Sequence, residues 1–251
     1  MKYIFLFIIL AIRLRSEAQI VNIENLRIVT DTTGWAGYIR LGITASKEVN
    51  SVVNILSDVQ AQYKTKNDLY LIRGNTNFSR SGGTTFTENT FIHLRYNRKL
   101  SPWLRWEVFT QWQHNKITGI NNRYLAGTGP RIKLMERKTF HSYFGASIMY
   151  ESEEETQIEG EFKTHNVVRS SNYLSLSYQP LTNIKLTSTA YFQPLPDLHT
   201  DYRFFMQSTL GMDITKKISF EFGYRYLYDS TPAPGIPNTT YAVENYLKWK
   251  F

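Results

Sequence analysis

The sequence predicts an all-β protein, a closed antiparallel transmembrane β-barrel of about 12 strands, and three observations predict it. The N-terminus reads as an export leader, apolar and polar side chains alternate through segment after segment, and the connections between segments fall into a short and a long class.

The leader comes first. Lys2 precedes an apolar run over residues 3–12, and the exit ends in Ser16-Glu17-Ala18. A basic start, an apolar stretch and small residues at the cut are the parts of a secretory signal peptide. The run is shorter than the roughly 20 residues a helix needs to cross a bilayer. Arg13 and Arg15 interrupt the neutral approach usual before such a cut, and Gln19 is the expected new N-terminus.

Composition removes several classes of chemistry. The chain has no cysteine, which excludes thiolate metal sites, disulfides and cysteine nucleophiles. Lys2, Arg13 and Arg15 against Glu17 carry a net +2 of the formal +8, so the mature chain is near +6. Its Lys and Arg are scattered without a run or stripe, which argues against nucleic acid as a partner. Anionic lipid headgroups are the more natural acidic neighbour.

Alternation is the main signal. A mean hydropathy of −0.36 resembles that of a soluble protein, but a barrel wall needs only every second residue to be apolar. Over residues 217–229 one parity carries Ile218, Phe220, Phe222, Tyr224, Tyr226 and Tyr228, and the other carries Lys217, Ser219, Glu221, Gly223, Arg225, Leu227 and Asp229. Successive strand side chains point to opposite faces, so the segment has one greasy and one wet side. The C-terminal segment sets Tyr241, Val243, Leu247, Trp249 and Phe251 against Thr240, Glu244, Tyr246, Lys248 and Lys250, with Asn245 the one polar residue on the apolar parity. After Trp103, Leu104, Trp106, Val108, Thr110 and Trp112 oppose Arg105, Glu107, Gln111 and Gln113. Residues 183–193 and 202–214 read the same way.

Twelve such segments begin near residues 35, 52, 69, 88, 103, 123, 140, 169, 183, 201, 217 and 239. An even count suits a closed bacterial barrel, and closure is required wherever the outer face meets hydrocarbon. Connections at residues 65–68, 98–101, 136–138, 180–182 and 215–216 are turns, while those at 79–85, 115–122, 152–168, 194–200 and 230–238 are generally longer. Short periplasmic turns and longer external loops are the habit of such barrels. Aromatics are 15% of the chain, and Trp35, Tyr63, Tyr96, Trp103, Trp112, Tyr150, Tyr178, Phe192, Tyr228 and Trp249 fall on outward positions near strand ends, as in an interfacial girdle. The expected organisation is a signal peptide over 1–18, a periplasmic N-terminal segment over 19–34 and an outer-membrane barrel over 35–251.

Three stretches carry a resemblance: the Arg-x-x-x-Gly-x-Gly-x-Arg spacing of Arg123, Gly127, Gly129 and Arg131; the Asp201-Tyr202-Arg203 step; and the Tyr228-Asp229-Ser230 to Pro232, Pro234 and Gly235 run before the last strand. In order and spacing these resemble the YdiY-like salt-induced outer-membrane family. The resemblance covers nearly the whole mature chain and implies a barrel in the cell outer membrane. It brings no catalytic residues. Trp249 and Phe251 look like the terminal aromatic signal read by the barrel-assembly machinery.

Candidate site residues follow from parity. Arg105, Glu107, Arg123, Arg131, Lys133, Arg203, Asp213, Glu221, Arg225 and Glu244 are expected to face inward as a lumen charge network that plugs the barrel, with a solute pathway as second reading. Gly127 and Gly129 leave room on the inner wall for a long side chain or let the strand bend. Glu151, Glu153, Glu154, Glu155, Glu159 and Glu161 form an acidic external loop, a candidate for divalent cations although a solvated charged loop is the plainer reading. His93, His114, His141, His165 and His199 lack metal-ligand spacing. His141 and Ser142 are adjacent, hence on opposite faces, and cannot form the pair an outer-membrane phospholipase uses. The expectation is a non-enzymatic envelope barrel, structural, partner-binding or a narrow pore for small solutes, with outer-membrane lipids as partners and no cofactor. The alternatives are a lipid-modifying or hydrolytic outer-membrane enzyme and a soluble secreted β-sandwich.

Overall fold

The computed structural model describes residues 33–47, 51–81, 84–116, 118–156, 161–196, 201–232 and 236–250. The expected signal peptide, most of the periplasmic segment and Phe251 lie outside them. Twelve strands follow in chain order: β1 (Gly34–Lys47), β2 (Ser51–Lys64), β3 (Asp68–Ser81), β4 (Thr84–Lys99), β5 (Leu104–Asn115), β6 (Ile120–Glu136), β7 (Phe140–Thr156), β8 (Phe162–Leu181), β9 (Ile184–Pro194), β10 (Tyr202–Asp213), β11 (Ile218–Asp229) and β12 (Thr239–Lys250). Each pairs antiparallel with its neighbours in sequence, and β1 meets β12 to close the barrel.

The alternation separates the outer face from the lumen as expected. On β11, Phe222 is 42% exposed and Ser219 is 2% exposed. Trp106 and Val108 are exposed on β5 while Glu107, Gln111 and Gln113 are buried, and on β12 Tyr241, Leu247 and Trp249 oppose Thr240 and Lys248. Aromatic side chains gather at both rims. Trp35, Tyr63, Tyr70 and Tyr96 stand on four successive strands at one end, with ring centroids 5.2 Å apart for Trp35–Tyr63 and 5.1 Å for Tyr70–Tyr96. Phe192, Tyr202 and Tyr228 line the other end at 5.8 and 5.5 Å.

Three turns at the first rim share one device. The hydroxyls of Thr65, Ser101 and Thr215 accept the backbone N–H of Asp68 (2.9 Å), Leu104 (3.1 Å) and Ile218 (2.9 Å), each three residues on. A hydroxyl that imitates the backbone acceptor fixes a tight reversal.

Two expected loops are instead strand. β7 and β8 continue as a hairpin from Glu151↔Val167 to Thr156↔Phe162, so β8 begins at Phe162 rather than near 169. The segment reads as loop in sequence because it is polar on both faces. β3 and β4 likewise extend to Ser81 and from Thr84. The longest remaining connections, 195–201 and 230–238, are both at the second rim.

Phe222 sits at mid-wall opposite Asn245 and Leu210. A lysine there is expected to cost about 2–4 kcal/mol, against roughly 0–1 kcal/mol for Trp249→Lys at the rim. Reversible urea unfolding of the two variants in lipid vesicles measures the difference.

Candidate functional site

Inward parity brings charged side chains from every part of the wall into a narrow, water-poor space. Near the first rim, Arg40 reaches Asp58 on β2 at 2.7 Å and Glu221 on β11 at 3.0 Å. Arg73 also binds Asp58 (2.6 Å), and Lys248 binds Glu221 (3.1 Å). Tyr38 donates to Asp58 at 3.2 Å, while the Arg40 guanidinium lies 4.6 Å from the ring centre of Tyr246.

A second group centres on Glu107 of β5. Arg95 and Arg131 flank it at 3.6 and 3.7 Å, and the Tyr173 hydroxyl, arriving from β8, donates to it at 2.7 Å. Arg95 Nε donates to His93 Nε2 (3.3 Å), so the ring hydrogen sits on Nδ1, which faces Gln111 Oε1 at 3.1 Å.

The third group lies toward the second rim. Arg203 of β10 binds Asp229 (2.8 Å), Glu151 (2.9 Å) and Glu153 (3.3 Å), the last two on β7 three strands away. Arg123 closes the other side of Glu151 at 2.7 Å, and Arg169 binds Asp201 at 3.0 Å. Tyr173, Tyr191, Phe205 and Leu227 fill the space beneath. Two small cavities lie among the described residues. One of ≈ 30 Å³ is lined by Arg95, Glu107, Arg123, Tyr173 and Gln193, and one of ≈ 20 Å³ at the rim by Glu153, Glu155, Asp229 and Thr240. Each has room for roughly one or two waters.

Burying one ion costs several kcal/mol, which its partners offset only when geometry and hydrogen bonding are good. Asp58, Glu107, Glu151 and Glu221 each meet at least two cations. The lattice therefore holds side chains in fixed places rather than adding large net stability.

Small residues admit the large ones. A Cβ on Gly145 would lie 2.1 Å from the Tyr173 ring, and one on Gly127 would lie 2.4 Å from Phe109. At Gly129 the obstacle is backbone, the Ala146 carbonyl at 2.0 Å, at a step where the β6–β7 ladder has no pair between Thr128↔Ile148 and Arg131↔Gly145 although its register is unchanged. Gly127 thus makes room on the inner wall and Gly129 permits a close strand approach.

Of the residues singled out from sequence, Glu107, Arg123, Arg131, Arg203 and Glu221 are buried in the lattice. Arg225 and Glu244 pair at 3.1 Å, half-buried. Arg105 is half-buried near the first rim, Lys133 pairs there with Glu136, and Asp213 is exposed at the end of β10 rather than sealed within the lumen. The acidic loop requires correction. Glu151, Glu153, Glu154 and Glu155 belong to β7, and Glu151 and Glu153 point inward onto arginines, which uses their charge on the barrel's own cations. Glu161 is exposed just before β8, and Glu159 lies outside the described residues. Among the described residues no three acidic or histidine side chains converge as a metal site. Arg40, Asp58, Arg73, Arg95, Arg169, Tyr173 and Asp229 complete the lattice. Inward parity in their own strands is the sequence signal that marks them.

Gly145→Ala is expected to destabilise the barrel by about 1–3 kcal/mol through overpacking. Most of that loss should vanish on a Tyr173→Leu background, where the ring is gone. A double-mutant cycle read by unfolding midpoints tests the coupling.

Several solved structures are similar to this chain. The translocator domain of the autotransporter NalP from Neisseria meningitidis matches with a TM-score of 0.51 at 12% identity, over 88% of this chain and 90% of that one. The NanC porin matches at 0.49 and 13% identity over 85% and 97%, and the KdgM porin at 0.47 and 8% over 86% and 99%. At such identities the likeness is one of fold. No curated protein matches the sequence. The family model described as "Protein of unknown function, DUF481" matches residues 39–250, and this chain belongs to that family.

Proposed function

We propose that the chain is an integral, non-enzymatic β-barrel of the Gram-negative outer membrane whose lumen is closed along its axis by its own side chains, a structural or partner-binding element of the envelope rather than an open pore. The observation that carries this reading is the Arg203–Glu151–Arg123 bridge, which spans β10, β7 and β6 across the interior. The lipid-facing apolar band, the two aromatic rims and the resemblance to the YdiY-like salt-induced outer-membrane family support the location. Outer-membrane lipids and the barrel-assembly machinery are the proposed partners. A hydrolytic reading finds no support in the buried histidine, because both His93 ring nitrogens are committed to Gln111 and Arg95.

Membrane fractionation with heat-modifiable gel migration tests the location: a folded, detergent-resistant band in the outer-membrane fraction is expected. Planar-bilayer recording tests the closed lumen. The native protein is expected to give no steady conductance, and Arg203→Ala to give resolvable openings. Glu151→Gln leaves Arg123 and Arg203 facing a neutral amide and is expected to cost about 3–5 kcal/mol of stability. Large steady currents through the native protein would defeat the closed-lumen reading.

A further inference from the structure

The cations scattered along the sequence are gathered by the fold at one end. Every second connection returns to the first rim, and four of those turns bring exposed basic side chains with them. Lys66 lies between β2 and β3, Lys99 at the end of β4, Arg137 and Lys138 between β6 and β7, and Lys216 and Lys217 between β10 and β11. None of the six side chains makes an ion pair or hydrogen bond with a described residue. Three carboxylates stand at the same rim among the described residues, and two are held by other cations, Asp68 by Arg98 at 2.8 Å and Glu136 by Lys133. The third, Asp213, is exposed. The second rim is different. There Lys163 stands opposite Glu155 in the β7–β8 ladder, and Arg80 and Lys116 are accompanied by Glu88, Glu154 and Glu161.

The basic turns are also apolar. Leu100 follows Lys99, Ile214 and Ile218 bracket Lys216 and Lys217, and all three side chains are exposed, as is Trp103. They carry the outer apolar face past Trp35, Tyr63, Tyr70 and Tyr96 to the turns themselves. An apolar side chain beside a cation suits the level at which hydrocarbon gives way to head groups, where a lysine stem lies along acyl chains and its ammonium reaches the phosphates. A soluble acidic partner would meet the charges and leave these four apolar side chains without a complement.

We propose that the first rim is a binding ring for anionic glycerophospholipids, whose phosphates settle among Lys66, Lys99, Arg137, Lys138, Lys216 and Lys217 while their acyl chains lie against the apolar side chains of the same turns. This rests on the membrane reading above and deepens it by naming the lipid class and the rim that selects it. Four separate turns make several sites around the perimeter rather than one pocket.

The test measures lipid selectivity by electron spin resonance. The full chain is reconstituted in phosphatidylcholine vesicles with a trace of spin-labelled phosphatidylglycerol or spin-labelled phosphatidylcholine, and the immobilised fraction of each label is read. The wild-type barrel is expected to favour phosphatidylglycerol about fivefold, the effect of one basic side chain near an anionic surface. The preference is expected to vanish at about 1 M salt, where screening acts within ~3 Å. The variant K66Q/K99Q/R137Q/K138Q/K216Q/K217Q is expected to treat the two lipids equally, and R80Q/K163Q at the second rim to keep the wild-type preference, both with heat-modifiable gel migration intact. If the sixfold variant does not insert, R137Q/K138Q and K216Q/K217Q carry the test: each is expected to lower the preference by a measurable part, and no change in both overturns the proposal. Equal immobilisation of the two lipids by the wild type, or a preference that survives the sixfold change, also overturns it. Loss of the preference in R80Q/K163Q overturns the assignment to the first rim. Capture of the detergent-solubilised protein by immobilised polyglutamate through the same six residues, without a lipid preference in vesicles, assigns the rim to a soluble acidic partner and overturns the lipid. An immobilised lipid fraction without selectivity defeats the ring alone, whereas no immobilised fraction at all defeats the membrane reading as well.

Discussion

Every backbone polar group that faces hydrocarbon must find its partner within the protein, and that constraint dictates the rest of this structure. It admits only helices and closed sheets across a membrane. A chain whose apolar residues recur every second position cannot satisfy it as a helix, because a helix needs an apolar stripe at a period near 3.6. The twelve antiparallel strands and their closure through β1 and β12 follow. So does the contrast between Phe222 and Ser219, three residues apart in one strand, whose environments differ as an exposed apolar face differs from a packed polar interior.

Closure creates a second problem, since the inward parity of a small barrel encloses side chains that have little water. Here the inward set includes many arginines and glutamates among its polar side chains, and the solution is a lattice in which carboxylates are shared. Asp58 serves Arg40 and Arg73, Glu221 serves Arg40 and Lys248, and Glu107 serves Arg95 and Arg131. Arginine suits this sharing because its planar fork can donate to two partners at once. Glycines at 127 and 145 complete the arrangement by letting Phe109 and Tyr173 lie against the wall.

The wall was largely legible in sequence and the lumen only partly. Alternation is a local property, so the apolar faces of β5, β9, β10, β11 and β12 and the strand count can be read from single segments. Pairing across the lumen is not local: Arg203 meets Glu151 over 52 positions and Tyr173 meets Glu107 over 66. Parity says that such groups face inward, but strand tilt and register decide which of them touch. The run from Glu151 to Glu161 misleads for a related reason. A hairpin that rises above the hydrocarbon needs no apolar face, so β7 and β8 lose their period-2 signature there while their ladder continues. Glu151 and Glu153 then look like loop carboxylates although arginines 28 and 50 positions away hold them.

The ion lattice and the closure of the wall are parts of one arrangement. Arg40 pairs with Lys248 across the β1–β12 junction, and its side chain reaches past β12 to Glu221 on β11, which Lys248 also holds. Side-chain bridges therefore clasp the same junction that the backbone ladder closes. The clasp depends on a single carboxylate: without Glu221, Arg40 keeps Asp58, but Arg40 and Lys248 lose the partner they share across β12. Breaking one member of a buried charged group leaves the others uncompensated, which costs more than the group itself contributes, so the junction of the first and last strands is tied to the integrity of the lumen beside it.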